Sequence, residues 1–279
     1  MSRSGVLADI QGLYRVSVYR YWSRPRALSA TRFGQAPRQF FLVSYPKSGN
    51  TWVRFLLAHL LNGQGEELTL RNLWRLIPDS HDRQQRAYML DRQSSFGNLP
   101  YQVVKAHDPF LPFYWDKQVI YLVRDGRDVL TSYYHYHNAR VGTGITLSDL
   151  IESREPNPMG TWSSHVLSWM QRRGKRKLYV KYEDLISDTA ATLSRMLAFM
   201  DWSPDQRSIA DAVKRSSFRQ LKQVEATHGW LHDSKAKAGE QRSFFRKGEV
   251  GDWRNTFTDA DATAFWRRHG KGMRALGYT

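Results

Sequence analysis

Cysteine is absent from the 279-residue chain. Neither a disulfide nor a cysteine-ligated metal site can form, a composition that fits a cytoplasmic protein. Long apolar runs are lacking too. None approaches the ~20 residues needed to span a bilayer, and the N-terminus has no apolar core of the length a secretory signal requires. No internal repeat or low-complexity tract is present. Acidic residues are scarce: 26 Asp and Glu face 42 Lys and Arg, a formal net charge of +16. Such a chain attracts polyanions, whether a small phosphorylated ligand, a nucleic acid or an acidic membrane. The basic residues are spread along the chain and form no nucleic-acid motif, so steering of a small anion is preferred and no nucleic-acid partner is expected. The length suits a single α/β domain with a large core.

Three stretches are built to hold anions. Phe40-Phe-Leu-Val43 reads as a buried strand. Tyr45-Pro-Lys-Ser-Gly-Asn-Thr51 follows as a turn, and Trp52 to Leu61 has helical spacing, with Val53, Leu56, Leu57, Leu60 and Leu61 on one face. Strand, glycine loop and helix aim backbone N–H groups at an anion. Lys47 precedes the only glycine of the loop, Gly49. A nucleotide-triphosphate loop instead places Lys and Ser/Thr after its second glycine. In the second stretch Val119-Ile-Tyr-Leu-Val123 reads as another strand, with Arg124 at its end and a helix expected through Val129 to His137 that carries Ser132. Arg124 and Ser132 can then converge on phosphate oxygens. The third stretch, Arg246-Lys-Gly-Glu-Val-Gly-Asp-Trp253, offers two adjacent cations and a glycine in a polar loop.

Together these stretches resemble the sulfotransferases that use 3′-phosphoadenosine 5′-phosphosulfate (PAPS), especially the soluble cytosolic type. The likeness runs from about residue 38 to the end. It implies a single domain with a central parallel sheet flanked by helices and a P-loop-like 5′-phosphosulfate loop. It also implies that Lys47 contacts the bridging oxygen and sulfonate, while Ser48, Gly49, Asn50 and Thr51 cradle the 5′-phosphate. Trp52 would stack on adenine, with Phe218 of Ser216-Ser-Phe218 on its other face and Tyr182 nearby. Ser216 replaces the family's threonine. Arg124, Ser132, Arg246, Lys247 and Gly248 would hold the 3′-phosphate.

Gln102-Val-Val-Lys105 reads as a short strand leading to Lys105-Ala-His107, where the family usually has Lys-Thr-His. The resemblance makes His107 the general base and Lys105 a cation on the transferring sulfonate, so that Lys47, Lys105, His107 and Ser132 form the catalytic set. Histidine suits a base because its ordinary pKa lies near neutrality. Transfer would be in line, by analogy with phosphoryl transfer, with lysines in place of a metal. His135 and His137, two apart on a helix, face different ways and argue against a metal site. His135, one turn beyond Ser132, is expected at the acceptor pocket.

Strands alternating with helices predict a parallel sheet, with the site at its strand C-terminal ends. Ser187-Asp188 precedes a stripe of Leu193, Met196, Leu197 and Met200; Ser203-Pro204 reads as a helix start; Thr258 is expected to cap a last helix. Residues 1–38 form a basic N-terminal extension ahead of a sulfotransferase domain at 39–279; a transit peptide or a segment touching membrane remains open for it. Acceptor loops are expected at 63–100 and 138–160. The first mixes Trp74, Tyr88 and Phe96 with Arg71, Arg75, Arg83, Arg86 and Arg92, which points to a small hydroxylated acceptor, with a carbohydrate or lipid-linked hydroxyl as the alternative. The family's dimer segment is altered at Arg254-Asn-Thr-Phe-Thr258-Asp259, leaving the oligomeric state open. A nucleotide kinase or a nucleic-acid-binding protein is the competing reading.

Overall fold

The structure, a computed structural model, describes residues 38–63, 65–91, 95–141, 144–153, 159–170, 176–229 and 243–279. Apart from Arg38, the basic extension lies outside them.

Among the described residues four short strands form one parallel sheet in the order β2-β1-β3-β4: β1 is Gln39–Ser44, β2 Gln102–Ala106, β3 Gln118–Val123 and β4 Lys177–Lys181. Leu42 pairs with Lys105 on one side of β1, and Ser44 pairs with Leu122 on the other. Alternate side chains enter opposite cores, as strand geometry requires. Phe40, Leu42, Val103, Ile120, Leu122 and Val180 face one cluster, while Phe41, Val43, Val104, Tyr121 and Val123 face the other. Both faces being buried explains why β1 and β3 read as unbroken apolar runs.

Ten α-helices lie among the described residues. The first core is closed by α1 (Asn50–Asn62), α7 (Thr189–Phe199), α8 (Gln206–Arg215) and α9 (Phe218–His228). The second is closed by α3 (Gly126–Val141), α4 (Leu147–Glu152), α5 (Trp162–Met170) and α10 (Asp259–Ala275). Two short helices remain, α2 (Arg83–Leu90) and α6 (Tyr182–Ser187). Thr258 caps α10 in a full capping box with Asp261, as expected. The helix expected from Ser203-Pro204 starts later, at Gln206, because the Asp205 carboxylate takes the Ser208 N–H and is the true cap.

Because β1 lies between β2 and β3, the chain leaves it first to one side and later to the other. Crevices form at such reversals, above the strand C-terminal ends. The loops after β1, β2 and β3 therefore meet there. The segment Pro78–Ser80 extends this edge: the Lys105 N–H donates to the Pro78 carbonyl (2.9 Å), and the Ser80 N–H donates to the Lys105 carbonyl (2.9 Å).

Trp169 anchors the floor behind β2. It is fully buried, lies nearly parallel to Tyr121 with centroids 5.1 Å apart, and donates its indole N–H to the Asp108 carbonyl at 3.0 Å. Trp169→Ala is expected to cost about 3–5 kcal/mol, read as a lower urea midpoint at unchanged slope. A loss under about 1 kcal/mol, the scale of surface changes, would contradict this packing role.

Candidate active site

The chain turns sharply after β1. Gly49 has φ 95° and Lys47 φ 70°, so the loop passes twice through the left-handed region before α1 begins at Asn50. A side chain at Gly49 is excluded twice over: a Cβ there would lie 2.5 Å from the Tyr182 ring, at a φ only glycine adopts cheaply. The loop thus presents the N-terminus of a 13-residue helix, with no acidic residue in its first turn. Ser48 is buried beneath it, and its hydroxyl has no partner among the described residues. The Lys47 ammonium lies 4.1 Å from the Tyr136 ring centroid and 4.9 Å from that of Phe244. Trp52 donates its indole N–H to the Ser216 carbonyl at 2.9 Å and meets Tyr182 edge to face.

A second cradle forms between β3 and the C-terminal loop. Arg124 stacks its guanidinium over Tyr182 at 4.3 Å and donates to the Glu249 carbonyl at 2.7 Å. Asp128, in the first turn of α3, ties the loop down. Its carboxylate accepts from the Gly251 N–H at 2.7 Å and the Trp253 N–H at 3.0 Å, and lies 3.7 Å from Arg124. Asp252 binds both Arg246 and Lys247, the latter at 2.5 Å. Burial alone would raise the Asp252 carboxyl, but the hydrogen bonds from Lys247, Arg246 and Asn255 hold it well below the usual carboxylate range. Gly248, at φ 72°, sits so close to Phe218 that a Cβ would approach its ring to 2.7 Å.

The third group follows β2. His107 donates its Nδ1–H to the Ser44 carbonyl at 2.7 Å, since a carbonyl can only accept. That fixes the neutral tautomer and leaves the lone pair on Nε2. Burial first, then the Lys105 charge, holds His107 well below its ordinary pKa, with Asp79 opposing. Lys105 lies 2.5 Å from the Asp79 carboxylate. The His107 N–H donates to His81 Nε2 at 2.9 Å. From below, His165 donates its Nε2–H to the His107 carbonyl (3.2 Å) and accepts from the Tyr121 hydroxyl (2.8 Å); burial lowers its pKa to about 4, so it stays neutral.

One cavity of about 480 Å³ joins the three groups. Lys47, Gly49, Asn50, Thr51 and Trp52 border it from the first loop. Lys105, His107, Arg124, Ser132 and Tyr182 border it from the strand ends and helices, and Phe218, Arg246, Lys247 and Gly248 close it. Ser48 and Ser216 lie buried behind this wall rather than on it. His135 also departs from expectation: Tyr133 and Tyr136 border the cavity, while His135 does not; it meets Tyr134 edge to face and feels the charges of Arg246, Asp252 and Lys247. Of the acceptor loops, 63–100 contributes Leu70, Leu73, Asp79, Asp82 and Gln85. Its aromatics are used elsewhere: Trp74 packs on Tyr88, and Phe96 is buried in the core. No described residue of 138–160 borders the cavity. Asp79, Asp128, His81 and His165 were missed from the sequence. Only Asp128 carried a signal, its i,i+4 spacing from Arg124.

A lowered folded pKa means that His107 is neutral at pH 7 and takes up a proton only on acidification. In the free protein, the imidazole resonance lost in His107→Asn is expected to titrate with a midpoint below 6.5, the ordinary histidine value. A midpoint at or above 6.5 would contradict the buried, Lys105-facing setting.

The sulfotransferase domain profile matches residues 37–277. Sulfotransferase 1E1 of Rattus norvegicus is 27% identical over 286 residues, spanning 96% of this chain and 93% of that protein. Sulfotransferase 1 family member D1 of Mus musculus is 27% identical over 288 residues, spanning 96% and 92%. Among solved structures, mouse sulfotransferase SULT7A1 complexed with PAP superposes with a TM-score of 0.66 at 23% identity, covering 90% of each chain. Retinol dehydratase in a complex with retinol and PAP gives 0.65 at 21% identity, covering 89% and 85%. The structural likenesses establish a common α/β fold, and the profile, spanning nearly the whole domain, establishes that the chain belongs to the sulfotransferase family and is a sulfotransferase enzyme.

Proposed function

We propose that this sulfotransferase moves a sulfonate from PAPS to a hydroxyl of a small acceptor, with His107 as the base. The observation that carries the reading is the meeting, in one cavity, of two anion cradles with the Lys105–His107 pair. The cradles suit a nucleotide with phosphates at both ends. Arg124 borders the cavity, and its Nε is a buried donor without a partner among the described residues, the kind of group that a phosphate oxygen satisfies. PAP accompanies the SULT7A1 and retinol dehydratase structures.

PAPS supplies a sulfonate already activated on a phosphate. The protein's tasks are then positioning and charge stabilisation. Asn50, Thr51 and the α1 N-terminus would hold the 5′-phosphate, and Arg124, Ser132, Arg246 and Lys247 the 3′-phosphate, with Gly248 allowing close approach. Trp52, Phe218 and Tyr182 would flank the adenine. His107 Nε2, made the free lone pair by the Ser44 bond, would take the acceptor's proton. Lys47 and Lys105 would place positive charge at the leaving and transferring groups. Tyr133, Tyr136, Leu70 and Leu73 give the acceptor side an aromatic and aliphatic wall, with Asp82 and Gln85 beside it. That mixture favours a small hydroxylated molecule; retinol and androsterone are the compounds held with PAP in retinol dehydratase structures.

Transfer from sulfur-labelled PAPS to a panel of phenols and alcohols tests the reading. His107→Ala is expected to lower kcat by roughly 10²–10⁴-fold, while adenosine 3′,5′-bisphosphate binds as in the wild type. Normal turnover by the variant would remove His107 from the role of base.

A further inference from the structure

Asp79 has no part in the three anion-binding stretches and lies 26 residues from Lys105, yet it is the tightest partner of that ammonium. Every polar group of Asp79 is committed. Its Oδ2 is 2.5 Å from Lys105 Nζ, its Oδ1 accepts from the His81 N–H at 2.8 Å, and its own N–H donates to Gln85 Oε1 at 2.8 Å. The backbone on either side is paired to β2 through Pro78 and Ser80. Arg54 of α1 pins the preceding carbonyl, that of Ile77, at 2.5 Å. The carboxylate therefore has one fixed place, beside a lysine that borders the cavity two residues before His107.

We propose that Asp79 is a positioning residue for transfer: it holds the Lys105 ammonium charged and aimed into the cavity, and acts through Lys105 rather than on the acceptor. The inference rests on the sulfotransferase reading above. The charges around Lys105 explain why a fixed anion is needed. Lys105 faces Arg54 from α1, His107 and Asp108 from its own strand end, and Asp79 from the 78–81 segment, whose His81 in turn faces Asp79 and His107. Burial lowers the Lys105 pKa, and Asp79 is the largest opposing influence. Burial would raise Asp79, but Lys105, then His107 and His81, hold it well below the usual carboxylate range. Remove Asp79, and two largely buried cations, Lys105 and Arg54, face each other with Asp108 as a carboxylate beside them. A buried lysine without its counter-ion gives up its proton readily. The positive charge that the transferring group needs would then be lost.

Asp79→Asn tests this cleanly. Its amide oxygen still accepts from His81, and the backbone pairings remain, but an NH₂ group now faces the ammonium. We expect kcat to fall by about 10²-fold, the scale of a misplaced catalytic group, with KM for PAPS unchanged. The basic limb of the kcat–pH profile should move to lower pH, since losing a neighbouring anion lowers the pKa of a cation. Lys105→Met should be as slow alone as when combined with Asp79→Asn. Multiplying losses, a loss confined to KM for the acceptor, or no loss would each overturn the proposal. A second readout needs no turnover. Lys105→Met strands a largely buried carboxylate and should lower Tm, and adding Asp79→Asn should recover part of the loss. Independent, additive Tm changes would overturn the pairing. A wild-type enzyme inert toward PAPS would instead sink the donor assignment and leave the Tm cycle as the test of the pair.

Discussion

The site depends on the parallel register of β2, β1 and β3. Leu42 opposite Lys105 and Ser44 opposite Leu122 bring three strand ends to one edge. From that edge rise the loop of Lys47, the Lys105–His107 pair and Arg124. The link is direct: the last carbonyl of β1, that of Ser44, accepts the His107 imidazole N–H at 2.7 Å. The strand that launches the anion loop thus also sets the tautomer of His107, the proposed base. A one-residue slip would turn every core side chain to the wrong face, so the two buried clusters that enforce register also enforce catalytic geometry.

A second constraint is charge. The cradles gather Arg124, Arg246, Lys247 and Lys47, and like charges at close quarters destabilise a fold unless anions or aromatic faces separate them. Asp128 and Asp252 supply the anions at the C-terminal loop, and Tyr182, Tyr136 and Phe244 supply the ring faces. At the end of β2 Asp79 does the same for Lys105. These carboxylates are buried or nearly so, and truncating one partner of a buried pair costs far more than the pair's net worth. The chain's excess of basic residues is tolerated locally because its few acids are placed at the contacts that need them.

What the sequence disclosed follows the same physics. β1 and β3 were legible because burial on both faces demands continuous apolar residues, and the cradles were legible because glycine, lysine and hydroxyl residues cluster at strand ends. β4 was missed. It is an edge strand, half-buried at four of five positions and bounded by Lys177 and Lys181, so neither an apolar run nor a clean alternation marks it. Asp128 stood in plain view in the second stretch, yet its partners Gly251 and Trp253 lie 123 and 125 residues away. Asp79 was hidden among the arginines of a segment expected to contact acceptor. Its meaning comes from a strand-like pairing with β2 that no local periodicity announces. His135 shows the converse: proximity to Ser132 along α3 placed it at the cavity, but Tyr133 and Tyr136 line the cavity and His135 does not.

Two cradles, each proposed to hold one phosphate, are the core of this picture, and ligand-induced stabilisation measures them directly. Adenosine 3′,5′-bisphosphate should raise Tm strongly and to the same extent with or without magnesium, while ADP and ATP, which lack a 3′-phosphate, should do far less. A larger shift with ATP and magnesium, or no response to any of the three nucleotides, would contradict the donor site assigned here.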